Sequence, residues 1–141
     1  MTRPVIVMPD AVAVVTAYLR GALKTHGRPV PVVSRVPSPR PREFVRVQRV
    51  GGTQQTPVSD RPRLDIHCWA ESESSASDLS ALSRALVNAM PGVRGGVTVY
   101  RVQEVGGPMW LPDDQTSAAR FAFAVEIHMR GRVLETPNPA V

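Results

Sequence analysis

The sequence has 141 residues, a length typical of one domain, and 43% of them are hydrophobic, which excludes intrinsic disorder as a description of the whole chain. No apolar run reaches the roughly 18–20 residues that a membrane-spanning helix needs, and no secretory leader is apparent. A single cysteine, Cys68, excludes an intramolecular disulfide and a cysteine-rich zinc module.

The net charge is +5, from 17 Lys and Arg against 12 Asp and Glu, and Lys24 is the one lysine among them. A basic balance is typical of proteins that bind nucleic acid or an acidic partner, although an arginine bias also follows from a GC-rich coding sequence. Several arginines cluster in one segment, at Arg35, Arg40, Arg42, Arg46 and Arg49. Single-strand binders combine basic grooves with several stacking rings, and this segment has only Phe44. Because arginine is enriched at protein interfaces and lysine is depleted there, a protein–protein surface is favoured.

The first half of the chain predicts a helix and two strands. Asp10 is a good N-cap, and apolar residues at three- and four-residue spacing after it predict an amphipathic helix over 10–25. Residues 30–36 predict a strand that prolines confine to a sheet edge, and a proline-rich extended segment follows it. Residues 44–50 predict a second strand, which ends at the glycine pair 51–52 before a polar loop over 53–61.

The second half predicts three more strands and another helix. Residues 63–70 alternate, with Leu64, Ile66, Cys68 and Ala70 on one face. A sequence resembling a capping box begins at Ser75 and precedes an apolar helical stripe that ends near Met90. Residues 97–105 predict a strand, 107–118 a long loop, and 121–129 the most regular alternation in the chain.

Together these elements predict one α+β domain with the order α-β-β-β-α-β-β. The simplest packing is a single five-stranded sheet, mostly antiparallel or mixed, with both helices on one face. We expect this domain to span residues 1–131 and residues 132–141 to form a flexible C-terminal tail.

Residues that could carry out chemistry do not form a diagnostic pattern. A metal site could use His67, Glu126 and His128, but these residues lie on polar strand faces, where solvated residues show the same pattern. A nucleophilic cysteine needs a histidine beside it, whereas Cys68 shares its strand face with buried apolar neighbours. The glycine pairs lack the spacing and the lysine of a phosphate-binding loop. We therefore predict no catalytic residue, no metal, no cofactor and no enzyme activity.

The loop over 107–118 contains large apolar residues between prolines. Met109, Trp110 and Leu111 either fold back as a lid on the core or anchor a partner, and the sequence favours neither reading. Loops of this length are uncommon in a compact domain unless they have a function or are ordered by a partner.

The order of these features resembles the tail terminator, or tail-completion, proteins of long-tailed phages, especially those that infect actinobacteria. The resemblance covers about residues 10–131. It depends on the early helix and a helix starting near Ser75, and on the segments Phe44–Gly52, Leu64–Ala70, Gly107–Asp113 and Phe121–Gly131.

The resemblance implies a non-catalytic virion protein of the tail neck, assembled in the host cytoplasm. Such subunits form a ring, expected here to be a homohexamer, at the head-proximal end of the tail tube. The ring stops tube polymerisation and joins the tail to the head-completion, or stopper, protein. DNA passes through its lumen without specific recognition, and no membrane is involved.

A closed ring requires two complementary surfaces on each subunit. Our hypothesis pairs the arginine segment 35–49 of one copy with the apolar and acidic residues of another, Met109, Trp110, Leu111, Asp113 and Asp114. Under this hypothesis, reversing the charge of Arg40 and Arg42 abolishes rings and leaves a folded monomer. The alternatives are another neck component, such as a head-closure protein, and a small basic nucleic-acid-binding module.

Overall fold

The computed structural model describes residues 3–135 of the chain. Two helices and eight strands are present in these residues: β1 (Val5–Val7), α1 (Ala11–Thr25), β2 (Val32–Val33), β3 (Phe44–Thr56), β4 (Ser59–Ala70), α2 (Glu73–Asn88), β5 (Gly92–Arg94), β6 (Val97–Trp110), β7 (Ala119–Arg130) and β8 (Arg132–Leu134).

Six strands form one sheet in the order β2-β3-β4-β7-β6-β5, and β1 pairs with β8 in a separate two-stranded sheet. Neighbours in the large sheet are antiparallel, except that β2 and β3 are parallel. The predicted α+β class, with two helices and a mixed, mostly antiparallel sheet, is confirmed. The predicted single five-stranded sheet is wrong. Strands β1, β5 and β8 have three residues each, too few for an alternating pattern to reveal them.

Both helices pack on the same face of the large sheet. Their buried stripes include Val15, Leu19 and Leu23 of α1 and Leu79 and Val87 of α2. These side chains meet the inward-facing residues of three central strands in one apolar cluster, among them Val45, Val47, Leu64, Ile66, Phe123, Val125 and Ile127. The burial of each large aliphatic side chain contributes about 1.5–3 kcal/mol.

Each helix begins at a capping side chain. Asp10 accepts a hydrogen bond from the backbone N–H of Ala13 at 3.1 Å, as predicted. The second cap is Ser72, whose hydroxyl accepts from the N–H of Ser75 at 3.1 Å. Helix α2 therefore begins three residues before the capping box that the sequence suggested, and Ser75 lies inside it.

The two long hairpins extend beyond the predicted strand ends. Strand β3 continues through Gly51 and Gly52, which have φ values of 128° and 91° and sit at a register shift against β4. The predicted polar loop over 53–61 is therefore mostly a hairpin arm. Strand β6 likewise continues through its glycine pair to Trp110, with register shifts around Gly106. A β-bulge accommodates an extra residue in one strand of a pair, so β3 stays hydrogen-bonded to β4, and β6 to β7, beyond the glycines.

The boundary predicted after residue 131 is also displaced. Residues 132–134 form β8 and pair antiparallel with β1, so the start of the predicted flexible tail belongs to a small sheet. Residues 136–141 of that predicted tail lie outside the described part of the chain. Neither helix within residues 3–135 has the length and apolar character that crossing a bilayer requires.

Candidate assembly surfaces

The proline-rich segment between β2 and β3 places Arg40 over two stacked aromatic rings. The rings of Phe44 and Trp69 lie face to face, with centroids 4.4 Å apart. The guanidinium carbon of Arg40 is 5.3 Å from the centroid of Trp69 and 5.5 Å from that of Phe44. A guanidinium at this distance is attracted by the ring faces, and the stack also covers one end of the sheet on the side away from the helices.

Arg40 also binds the loop that follows β6. Its Nη2 donates to Oδ2 of Asp113 at 2.8 Å, and the indole N–H of Trp69 donates to the same oxygen at 3.4 Å. The arginine side chain is 26% exposed and the aspartate side chain 15%. The hydrogen bond from Arg40 lowers the pKa of Asp113 from 3.8 to about 2.

These contacts join two segments that the sequence hypothesis assigned to different copies of the chain. Arg40 and Asp113 pair with each other within one chain. Arg40 also contributes to the tertiary structure, so we expect an Arg40→Glu variant to be less stable, and any effect on assembly would be combined with that loss. The pairing of copies through these two residues stays a prediction.

The other arginines of the segment point in different directions. Arg42 is 86% exposed and pairs with Glu71 at 3.0 Å, and Arg46 donates to the backbone oxygen of Ser34 at 3.2 Å. Arg49 pairs with Asp60 at 3.3 Å, and Arg35 is exposed. Successive side chains of a strand point to opposite faces of the sheet. Arg46 is one position from the buried Val47 and Arg49 is two, so Arg49 lies on the same face as Val47 and Arg46 on the opposite face.

Met109 and Trp110 are the last two residues of β6, not loop residues as predicted, and Leu111 follows them. Their exposed fractions are 59%, 43% and 38%. The ring of Trp110 tilts against Phe121, with centroids 5.3 Å apart, so one side of the indole is supported and the other is free. We call Met109, Trp110 and Leu111 the apolar end of β6. Because successive side chains of a strand alternate, Met109 lies on the open face with its partner Ala122, and Trp110 lies on the helix-covered face with its partner Phe121. Asp114, the last of the predicted interface residues, is exposed in the following loop.

Sequence reasoning missed a charged surface on the sheet face opposite the helices. The strand registers bring together arginines from four strands there: Arg46, Arg61, Arg63, Arg101 and Arg120. Asp65 and Glu126 are acidic residues on the same face. Burial and then Arg120 lower the pKa of His67, and burial and then Arg101 lower that of His128. Alternation within each strand places each arginine on this face, but only the pairing of β3 with β4, β4 with β7 and β7 with β6 brings the arginines together.

The residues considered for catalysis occupy structural positions. Cys68 is fully buried beneath α2, and burial raises the pKa of its thiol to about 12, where almost no nucleophilic thiolate forms at neutral pH. Within the described range, no group of three or more His, Cys, Asp or Glu side chains is arranged to hold a metal ion.

The unpaired backbone of the sheet is the last feature of the surface. Strand β2 covers β3 only at Val45 and Arg46, and β5 covers β6 only at Val97–Val99. Within residues 3–135, the outer sides of β3 beyond Arg46 and of β6 beyond Val99 pair with no strand. These two edges lie at opposite sides of the sheet.

Compared with models of known protein families the chain matches none, and a comparison with curated proteins finds no match. Its function must therefore be inferred from these surfaces and from the resemblance in its sequence.

Proposed function

We propose that this chain is a structural subunit that assembles with copies of itself into a ring at the head-proximal end of a phage tail tube. This is the role of a tail terminator: the ring stops tube polymerisation and offers its other surface to the head-completion protein. The observation that supports self-assembly most directly is the apolar end of β6, where Met109, Trp110 and Leu111 lie exposed beside an unpaired strand edge.

The apolar end combines two properties of a protein interface. Large side chains such as Trp and Met are enriched at interface cores, where their burial supplies the binding energy. An unpaired strand edge also presents backbone donors and acceptors to an incoming chain. Monomeric proteins often protect such edges with charge, proline or bulges, and β6 has all three before Met109: Arg101 and Glu104, Pro108, and register shifts around Gly106. The exposed, uncharged Met109 and Trp110 therefore support a contact more directly than the strand edge does.

A ring further requires that each subunit carry two different surfaces, because identical patches would close a dimer. The sheet offers this asymmetry, since β3 and β6 have different sequences and lie at opposite edges. In this proposal the partners are other copies of the chain, the tail-tube protein and the head-completion protein. DNA passes through the lumen without sequence recognition, and the protein resides in the neck of the virion tail.

Two other functions compete with this one. A head-closure protein of the same neck would also form a ring without catalysis. A small nucleic-acid-binding module is favoured by the arginines on the open sheet face, Arg46, Arg63, Arg101 and Arg120. Such a module would bind duplex DNA with an affinity that falls steeply as salt rises, since each phosphate contact releases counterions.

The test is the mass of the purified protein by light scattering, alone and with tail tubes, with electron microscopy of the tube ends. We expect a ring, either in solution or only on tubes. The double variant Met109→Ser with Trp110→Ser should reduce ring formation. Val5→Ser is the matched control, because Val5 has the same exposed fraction as Met109, 59%, and lies on β1.

Three outcomes separate the candidates. Rings that cap tubes and arrest their growth support the terminator, whereas rings that bind head components and ignore tubes support a head-closure protein. A chain that stays monomeric with tubes present and binds DNA at moderate salt contradicts the proposal and favours the nucleic-acid module. Equal ring formation by the double variant and by Val5→Ser would show that the apolar end is not the contact.

A further inference from the structure

The two unpaired edges of the sheet run in opposite directions. Strands β3, β4, β7 and β6 are neighbours in that order, and each is antiparallel to the next. Three reversals make β3 and β6 antiparallel to each other. When copies are related by rotation about an axis roughly along the strands, every strand keeps its direction. The β3 edge of one copy then meets the β6 edge of the next in the antiparallel sense, and the alternating pattern continues across the boundary.

The strand registers also show which residues lie at the same height. Arg49 pairs with Leu64, Leu64 with Val125, and Val125 with Glu104, so Arg49 and Glu104 occupy one row of the sheet. All four positions are on the helix-covered face, because Leu64 and Val125 belong to the core there. A second row lies on the open face. Thr53 pairs with Arg61, and Arg101 pairs with His128. Arg61 is level with His128, because the pairs on either side of them, Asp60 with Met129 and Arg63 with Glu126, share one register.

We propose that the β3 edge from Val47 to Thr53 pairs with the β6 edge from Arg101 to Pro108 of a second copy, antiparallel and with these rows level. The pairing ends there because β2 covers β3 at Arg46, the residue level with Met109. The inference rests on the proposed self-assembly and names the surface through which it occurs. A continuous sheet then passes from subunit to subunit, as in other complexes that form by adding a strand to an exposed edge.

The charges along the two edges are complementary in this register. Arg49 of one copy lies opposite Glu104 of the next, and the uncharged Thr53 lies opposite Arg101, so no like charges face each other. Within its own chain Arg49 pairs with Asp60 at 3.3 Å, and Glu104 pairs with Arg84 at 2.7 Å. Contact between copies would therefore link four residues of alternating sign, Asp60, Arg49, Glu104 and Arg84, and such networks contribute more than isolated pairs.

The same register gives the apolar end of β6 a place to pack. Trp110 pairs with Phe121, Phe121 with Cys68, and Cys68 with Val45, so Trp110 and Val45 occupy one row of the sheet. Val45 is one of the two β3 residues that β2 covers, so in the next copy Trp110 faces β2 and the chain just after it. That chain contains Arg35 and Val36, both exposed, and Val36 is 42% exposed. An aromatic ring beside an exposed arginine and an aliphatic side chain is a favourable contact. This places the start of the arginine segment, rather than Arg40, at the boundary.

Paired cysteines test the register. Residues opposite each other on antiparallel strands have Cα atoms about 4.5–5.5 Å apart, within the roughly 4.4–6.8 Å that a disulfide spans. The variant Thr53→Cys with Arg101→Cys replaces two exposed residues in one row. Assembled under the conditions that give wild-type rings and then oxidised, it should show loss of the monomer band and a ladder of covalent oligomers on a non-reducing gel. Cys68 is buried and should not contribute.

The matched control is Gln48→Cys with Arg101→Cys, which leaves the apolar end of β6 intact. Gln48 is exposed on the same face of the same β3 edge as Thr53, but its β4 partner is Asp65, four residues from Arg61, the partner of Thr53. At about 3.4 Å per residue Gln48 is roughly 14 Å away from Thr53 along the strand, so this variant should remain monomeric on the gel.

The outcomes distinguish the inference from the function on which it rests. The inferred register is supported if the wild type forms rings, the variant Thr53→Cys/Arg101→Cys crosslinks and the control variant does not. Wild-type rings with no crosslinking, or with equal crosslinking of the control, overturn the inference and leave the ring function standing. A wild-type chain that stays monomeric even with tail tubes overturns both.

Discussion

Replacing Arg40 with methionine should destabilise the chain far more than the same replacement at Arg42. Arg40 is 26% exposed, donates to Asp113 and lies over Trp69 and Phe44, whereas Arg42 is 86% exposed and pairs only with Glu71 in the described structure. Methionine keeps most of the aliphatic stem, so the comparison isolates the guanidinium. The two arginines are two positions apart in the same segment, which makes Arg42→Met a matched control.

The magnitude follows from the contacts of Arg40. A hydrogen bond to a charged group contributes about 1.5–3 kcal/mol, and a guanidinium over aromatic rings contributes about 0.5–1 kcal/mol at a partly exposed site. The lowering of the Asp113 pKa from 3.8 to about 2 corresponds to at most roughly 2 kcal/mol. Since the cluster is partly exposed, we expect Arg40→Met to lose about 2 kcal/mol. An exposed pair such as Arg42 with Glu71 contributes at most about 0.5 kcal/mol.

Urea unfolding followed by tryptophan fluorescence measures both variants, because Trp69 is part of the cluster. The midpoint should fall for Arg40→Met with an unchanged slope, and it should stay near the wild-type value for Arg42→Met. Equal loss by the two variants would refute the reasoning, since it would mean that the guanidinium of Arg40 contributes no more than a solvated one.

Three further results are expected. Because the pKa of Asp113 is lower in the folded state, its contribution is complete above about pH 4 and lost as the pH falls towards 2; the stability difference between wild type and Asp113→Asn, from urea unfolding, should shrink over that interval. Gly52→Ala should cost more than about 2 kcal/mol in the same assay, since a Cβ there would clash with the backbone of Arg61 and φ is +91°, whereas Gly21→Ala, in open space on α1, should stabilise by up to about 1 kcal/mol. Cys68 should resist alkylation at pH 8 in the folded protein and react once urea unfolds it; rapid labelling without urea would contradict its burial.

The helices could be predicted from the sequence because local residues determine them. Asp10 accepts a hydrogen bond three residues away, and Val15, Leu19 and Leu23 repeat with the helical period, so both signals lie within one short window. The error at α2 has the same origin. Ser72 and Ser75 are both acceptable caps, and the helix begins at the earlier of the two, which adds residues 73–75 to it.

The strand ends could not be predicted in this way. Glycine pairs usually end strands, and Gly51 and Gly106 were interpreted accordingly, but a paired neighbour holds β3 and β6 in place beyond them. The partners that do so, β4 and β7, are the next strands along the chain in each case, and they begin at Ser59 and Ala119, earlier than the sequence predicts. The missed extensions, residues 51–56 and 106–110, supply part of the unpaired edges on which the proposed assembly depends.

The arginine segment and the acidic loop do meet, but within one chain, and this changes what can hold copies together. The proline-rich segment bends at residues 34–35, 38–39 and 42–43 rather than staying extended as predicted, and it brings Arg40 across the end of the sheet to Asp113 in the loop after β6. The proposed interface between copies draws instead on the backbone edges of β3 and β6, on the apolar end of β6 and on the contact of Arg49 with Glu104. Backbone hydrogen bonds and apolar burial are screened little by salt, whereas exposed ion pairs are screened strongly. A ring joined through β3 and β6 should therefore weaken less as ionic strength rises than a ring joined mainly through exposed arginines.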